Sequence, residues 1–192
     1  MEPSPTSANF FTSSLLFKLF FSVCLAFSLA ITTANAAGLD PAVQAKVDKY
    51  KQKLTSWAQD PEIITAIEKA NQKNSSISND RWKALGTRDA KVLSYQKSPA
   101  GKKLTTWNSD KALGKLFLRD KQGNLVAGSK KPAIFNIADR PAFAKAMSGK
   151  TWNSSKVKPD PTTQLSSIQV SAPVMNKNGK QIGVIHTSVI VK

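Results

Sequence analysis

Between Asp40 and Trp57 the apolar residues Val43, Val47, Tyr50, Leu54 and Trp57 recur at alternating spacings of four and three. That spacing draws one stripe along a long helix, with Asp40 as its cap and Pro41 in its first turn. Asp60-Pro61 repeats the start signal, and Ile63, Ile64, Ile67 and Ala70 carry the apolar side of a second helical stretch ending near Asn71. Asn74 to Asp80 is rich in Ser and Asn and reads as a loop. From Arg81 to Asp110 the pattern is mixed: helical pieces and loops, a turn at Ser98-Pro99-Ala100-Gly101, and aromatic residues placed to cover one face of a later sheet.

The period then changes to two. Lys115 to Asp120 and Leu125 to Ala127 are strand-like runs joined through Gly123. Ile168 to Met175 and Gln181 to Val191 are a second pair joined through Gly179. A turn glycine between two apolar runs signals a hairpin. Along Leu165 to Val174 one parity (Ser166, Ile168, Val170, Ala172, Val174) is the buried set, and the other (Leu165, Ser167, Gln169, Ser171, Pro173) faces water or a wet pocket. Both parities of Ile182 to Val191 are largely apolar, so this strand is expected to be covered on both faces. Between the hairpins a short helix opens at Asp139-Arg140-Pro141, with Asp139 as its cap and Phe143, Ala144 and Met147 as its buried residues. Helices, two strands, a helix and two more strands point to an α+β antiparallel sheet with helices on its faces.

The amino-terminal segment is of a different kind. Lys18, an apolar run from Leu19 to Ile31, and Ala34-Asn35-Ala36 read as a secretion signal cleaved near Ala36. The alternative is a retained anchor, for which the run is shorter than the ~20 residues a spanning helix needs. Residues 1–36 are thus expected to be a signal peptide and 37–192 a single domain, periplasmic or secreted. Without Cys24 that domain has no cysteine. Glu2 and Lys18 are the charged residues of the leader, so the net charge of +16 stays with the domain. Its lysines are spread as singles and pairs without forming a basic tail. They give a solvated surface, or a field that attracts anionic partners.

Residues suited to catalysis are scarce. One histidine and no mature cysteine exclude Cys/His pairs, His-rich or Cys-rich metal cages and covalent haem attachment, and the dispersed acids form no calcium loop. We therefore expect no enzyme, no metal and no cofactor. Arg140 can hold a carboxylate or phosphate by a bidentate pair, or can pair structurally with Asp139 or Asp120. Phe135, Trp152, Tyr95 and Trp107 are candidate aromatic walls of a ligand pocket, although each taken alone reads as a core residue first. Gln169 and Ser171 reach a ligand if their parity faces the pocket. His186, on one parity with Ile182 and Val184, reads as a core histidine ahead of a pH sensor.

Several of these segments together resemble the Cache domains, the extracytoplasmic PAS-like sensor modules also called PDC domains. They are the long first helix with Pro61 to Ile67 and Asn71, Phe117-Leu118-Arg119-Asp120 with Gly123, and Asp139 to Ala146 with Gly149. Val170 to Val174, Asn178-Gly179-Lys180 and Ile182-Gly183-Val184 complete the set. The resemblance implies a five-stranded antiparallel sheet with the long helix across one face, and a small ligand on the other face under the short helix and loops. It departs from the family in two respects: members usually sit between two membrane helices and feed an output module, whereas this sequence stops one residue after its last strand. The expected function is small-molecule binding, of an organic acid or amino acid, by a sensor-type domain lacking its own output and working with a membrane receptor. The alternative is a cationic protein docking an acidic envelope component or acidic protein partner. No recognition helix, aromatic-rich sheet motif or basic arm points to nucleic acid.

Overall fold

The computed structural model describes residues 38–73 and 77–191. The secretion-signal reading lies outside them. Among the described residues no helix is long and apolar enough to cross a membrane.

Helix α1 (Pro41–Trp57) starts where the sequence indicates, with the Asp40 carboxylate accepting from the Ala42 and Val43 N–H groups. Helix α2 (Pro61–Asn71) is capped by Asp60 in the same way. Three shorter helices follow: α3 (Asn79–Ala84), α4 (Ala90–Lys97) and α5 (Pro99–Trp107). Two expectations are corrected here. The loop ends at Ser78, whose side chain accepts from Arg81 N–H and starts α3. Ser98-Pro99 is a helix start, not a turn: the Ser98 hydroxyl accepts from Gly101 N–H at 3.0 Å, and proline is favoured at the first helical position.

The sheet has six strands: β1 (Leu113–Asp120), β2 (Leu125–Gly128), β3 (Trp152–Asn153), β4 (Lys158–Pro159), β5 (Ser166–Met175) and β6 (Gln181–Ile190). They run antiparallel in the order β2-β1-β6-β5-β3, with β4 also pairing β5. The strand beyond the expected five is the two-residue β4, which gives no periodic signal. Gly123 and Gly179 turn the hairpins at φ +84° and +72°, a left-handed backbone that glycine adopts without strain.

The alternation of side chains across the pleat decides what each face does. One parity presents Leu116 and Leu118 from β1, Ile185 and Val189 from β6, and Ile168, Val170, Ala172 and Val174 from β5. All pack in one core with Val47, Tyr50 and Leu54 of α1, Ile63 and Ile67 of α2 and Leu104 of α5. Asn71 fastens the end of α2 to the sheet, donating to Ile182 O at 2.8 Å and accepting from Lys121 N–H at 3.0 Å. Ser166, counted with the buried parity, is exposed because it sits at the first position of β5.

The opposite face is apolar only in two patches. Phe117 and Leu125 pack with Trp82, Val92 and Phe135, and Val184 packs with Ile137, Phe143 and Ala146. The short helix α6 (Pro141–Ala144) and a 3-10 turn at Ala146–Ser148 carry part of this cover. Arg140, not Asp139, occupies the cap position of α6 and makes no capping bond, so the expectation for Asp139 is corrected. Beside these patches the face carries polar side chains, with Lys115, Arg119, Ser171, His186 and Ser188 buried among them.

Candidate functional site

On that polar face lies a cavity of about 440 Å³. Its floor is the sheet: Lys115, Phe117 and Arg119 from β1, His186 from β6, and Ser167 and Gln169 from β5. Its sides come from Trp152 on β3, the segment Pro132–Ile134, Ile137, Arg140–Ala142, and the β4 loop with Lys158, Pro159, Pro161 and Thr162.

The electrostatics centre on three groups. Arg119 is 1% exposed and borders the cavity. Its Nε–H donates to His186 Nε2 at 3.0 Å and an Nη1–H donates to the Phe135 carbonyl. No carboxylate among the described residues forms an ion pair with it. Burial lowers its pKa to about 9, with the charge of Asp120 offsetting only part of the effect, so it is a cation at neutral pH. Because Nε2 of His186 accepts from Arg119, the ring proton is assigned to Nδ1, which is buried without an acceptor. Burial, followed by the charges of Arg119 and Lys115, holds this imidazole well below its ordinary 6.5, in keeping with a neutral ring.

Lys115 is paired with Asp160, and both are buried. The Asp160 carboxylate has no free valence: Oδ1 accepts from the Thr162 and Thr163 N–H groups at 2.8 and 2.9 Å, and Oδ2 takes Lys115 and Gln169 Nε2. Burial alone would raise this carboxyl. The Lys115 charge, followed by the hydrogen bonds, outweighs burial and holds it below the usual carboxylate range. Asp160 thereby ties the β4 loop to the sheet floor. The hydroxyls of Ser167, Ser171 and Ser188, on the same face, are buried without protein partners.

Of the residues singled out from sequence, Arg140, Trp152 and Gln169 line the cavity. Arg140 is 59% exposed in its side chain and lies 3.5 Å from Asp139. Ser171 is fully buried under the same face, opposite His186 in the sheet register and outside the lining. Phe135 and Tyr95 pack against Trp82 in the aromatic cluster behind Phe117, with ring centroids 5.3 to 5.7 Å apart. Trp107 stacks on Trp57 at 4.8 Å, on the helical side of the sheet. The aromatics of residues 81–110 thus divide between the two faces and do not cover one, because α4 and α5 pack at the β2 edge where both faces are within reach.

Sequence reasoning missed Lys115, Arg119 and Asp160. The signal was present for two of them, since Lys115 and Arg119 alternate with Leu116 and Leu118 and share the parity of Phe117. Asp160 gave none; its partners are 45 residues upstream and nine downstream. Among the described residues no group of three or more His, Cys, Asp or Glu is placed to hold a metal ion.

Sequence comparison finds no matching family and no similar curated protein. Comparison of structures does find relatives of the fold. The sensor domain of the V. cholerae histidine kinase DctB matches with a TM-score of 0.55 at 19% identity, over 77% of this chain and 50% of that one. The E. coli DcuS sensor domain matches with a TM-score of 0.52 at 17% identity, over 79% of this chain and 92% of that one. The chain thus spans half the length of the DctB domain and nearly all of the DcuS domain. What is shared is the PAS-like fold of Cache/PDC sensor domains.

Proposed function

We propose that this chain, with the fold of a Cache/PDC sensor domain, binds a small anionic molecule in the cavity floored by Lys115, Arg119 and His186. In this reading it works outside the cytoplasm, after removal of residues 1–36, and conveys ligand occupancy to a membrane partner. The observation that carries the reading is Arg119. A guanidinium buried without a counter-ion is costly, and an anion in the adjoining cavity would supply the missing charge. The unpartnered Nδ1–H of His186 and the hydroxyl of Ser167 add donors on the same floor. Arg140, Lys158 and Trp152 stand at the sides, where Arg140 and Lys158 would draw an anion inward. Gln169 is already engaged with Asp160 and would act by holding the loop.

A thermal-shift screen of the purified protein against organic acids, amino acids, purines and polyamines, at low and moderate salt, tests this. A bound anion at a hundredfold its dissociation constant adds about 2.7 kcal/mol, several degrees in midpoint at roughly 2–4 °C per kcal/mol. The shift should survive moderate salt and vanish in Arg119→Met. If no small anion shifts the midpoint and only polyanions bind, in a salt-sensitive manner, the chain is instead a cationic docking protein, which its charge of +16 would suit.

A further inference from the structure

The cavity offers charge of one sign only, and this narrows the class of ligand. We infer that the site takes organic acids with an apolar body and discriminates against amino acids, the acid group lying at the Arg119 end and the body between Trp152 and Ile134. The inference rests on the anion-binding reading above.

Its first support is the inventory of acceptors. An α-amino acid bound with its carboxylate at Arg119 brings an ammonium group to within a few ångströms of the same cation. That ammonium needs a carboxylate. Among the described residues four cationic side chains line the cavity, Lys115, Arg119, Arg140 and Lys158, and no acidic one does. The two buried acids nearest the floor are already committed. Both oxygens of Asp160 are taken by Lys115, Gln169, Thr162 and Thr163. Asp120 accepts from the Gln122 and Asn124 N–H groups at Oδ1 and from the Asn124 amide at Oδ2. Asp139 is exposed beside Arg140. A neutral acceptor such as the Ser167 hydroxyl can take one N–H, but it cannot offset a positive charge desolvated next to two others.

The second support is the wall. Apart from the cations, the His186 imidazole and a few hydroxyl and amide groups, the lining is apolar: Phe117, Ile134, Ile137, Trp152 and four prolines among them. Prolines have no N–H, so Pro132, Pro141, Pro159 and Pro161 remove backbone donors from the rim. Such walls reward a hydrocarbon body and leave hydroxyl or amino substituents unpaired. Each methylene buried there is worth about fourfold in affinity.

The test uses matched pairs that differ by one group, measured by titration calorimetry on the purified protein. 3-Phenylpropanoate and L-phenylalanine differ only in the α-ammonium, as do hexanoate and L-norleucine. We expect the acid without the ammonium to bind at least tenfold tighter in each pair, and affinity to climb from acetate through butanoate to hexanoate. If L-phenylalanine or L-norleucine binds as tightly as its partner, the discrimination is refuted while anion binding stands. Should affinity stay flat from acetate to hexanoate, the apolar body is refuted and the site reads only the acid group. Should neither acids nor amino acids bind, the anion-binding reading falls together with this one.

Discussion

Replacing Asp160 by asparagine should produce a deficit that depends on pH in a way no surface substitution can imitate. Asparagine keeps an oxygen for the Thr162 and Thr163 N–H groups but withdraws the second one from Lys115 and Gln169. Lys115 is then a buried ammonium with no counter-ion, in reach of Arg119. Breaking a buried pair from one side costs about 3–5 kcal/mol, and the lost hydrogen bond from Gln169 adds roughly 1 kcal/mol. The cost has a ceiling, because the ammonium can release its proton; at pH 7 that takes about 4.6 kcal/mol for a lysine of ordinary pKa. The variant should therefore lose about 4–6 kcal/mol at pH 7, measured by urea unfolding.

The sign of the pH dependence follows from burial, which lowers the Lys115 pKa and is no longer opposed by Asp160. Between the folded and unfolded values the unfolded chain binds the extra proton, so stability rises with pH, by about 1.4 kcal/mol per unit. At pH 9 the deficit relative to the parent should therefore be smaller than at pH 7. Lys115→Met with Asp160→Asn removes the orphaned ammonium as well and should recover most of the loss, leaving the Gln169 hydrogen bond unrestored. A deficit under 1 kcal/mol at pH 7, or one equal at pH 7 and pH 9, would refute the buried-pair account.

Two other outcomes follow from single residues. Gly123→Ala and Gly179→Ala both force a left-handed alanine, costing about 1–2 kcal/mol each. Gly123→Ala should cost clearly more in the same unfolding assay, since its added Cβ would stand 2.7 Å from the Ala138 backbone nitrogen while the space at Gly179 is open. His186 is neutral in the folded chain and titrates near 6.5 when unfolded, so the parent should lose stability as pH falls below about 6.5. His186→Gln should flatten that limb, and an unchanged limb would assign the loss to another group.

The helical half of the fold was legible because its signals are local. Asp40-Pro41 and Asp60-Pro61 each place cap and proline next to the helix they start, and the stripe from Val43 to Trp57 is periodic over the whole of α1. Ser98-Pro99 carries the same signal, but Gly101 three residues on makes the segment read as a turn. That glycine is needed by packing: a Cβ there would lie 2.3 Å from the Tyr95 carbonyl oxygen. Strand parity separated the two faces of β5 apart from Ser166, which is exposed at the strand's start. What parity cannot give is which polar groups meet. Lys115 and Asp160 are brought together by the β4 loop, and Arg119 reaches His186 across the β1–β6 pairing. Three of the four aromatic candidates lie in packing away from the cavity lining, and Trp152 lies in it. Tyr95, Phe135 and Trp107 are large and apolar, and nothing local separates a pocket wall from the packing behind it.

The division of labour between alternate residues of β1, β5 and β6 limits how this chain can change over evolutionary time. A point substitution at Arg119, Ser167 or His186 changes the lining of the cavity and leaves the alternate residues that pack on the helices in place. Inserting or deleting one residue inside β6 does the opposite. It turns His186 and Ser188 towards α1 and sends Ile185 and Val189 to the cavity, exchanging both faces at once. Descendants of this sequence can therefore diverge widely in the cavity lining at alternate positions, while the lengths of these three strands stay fixed.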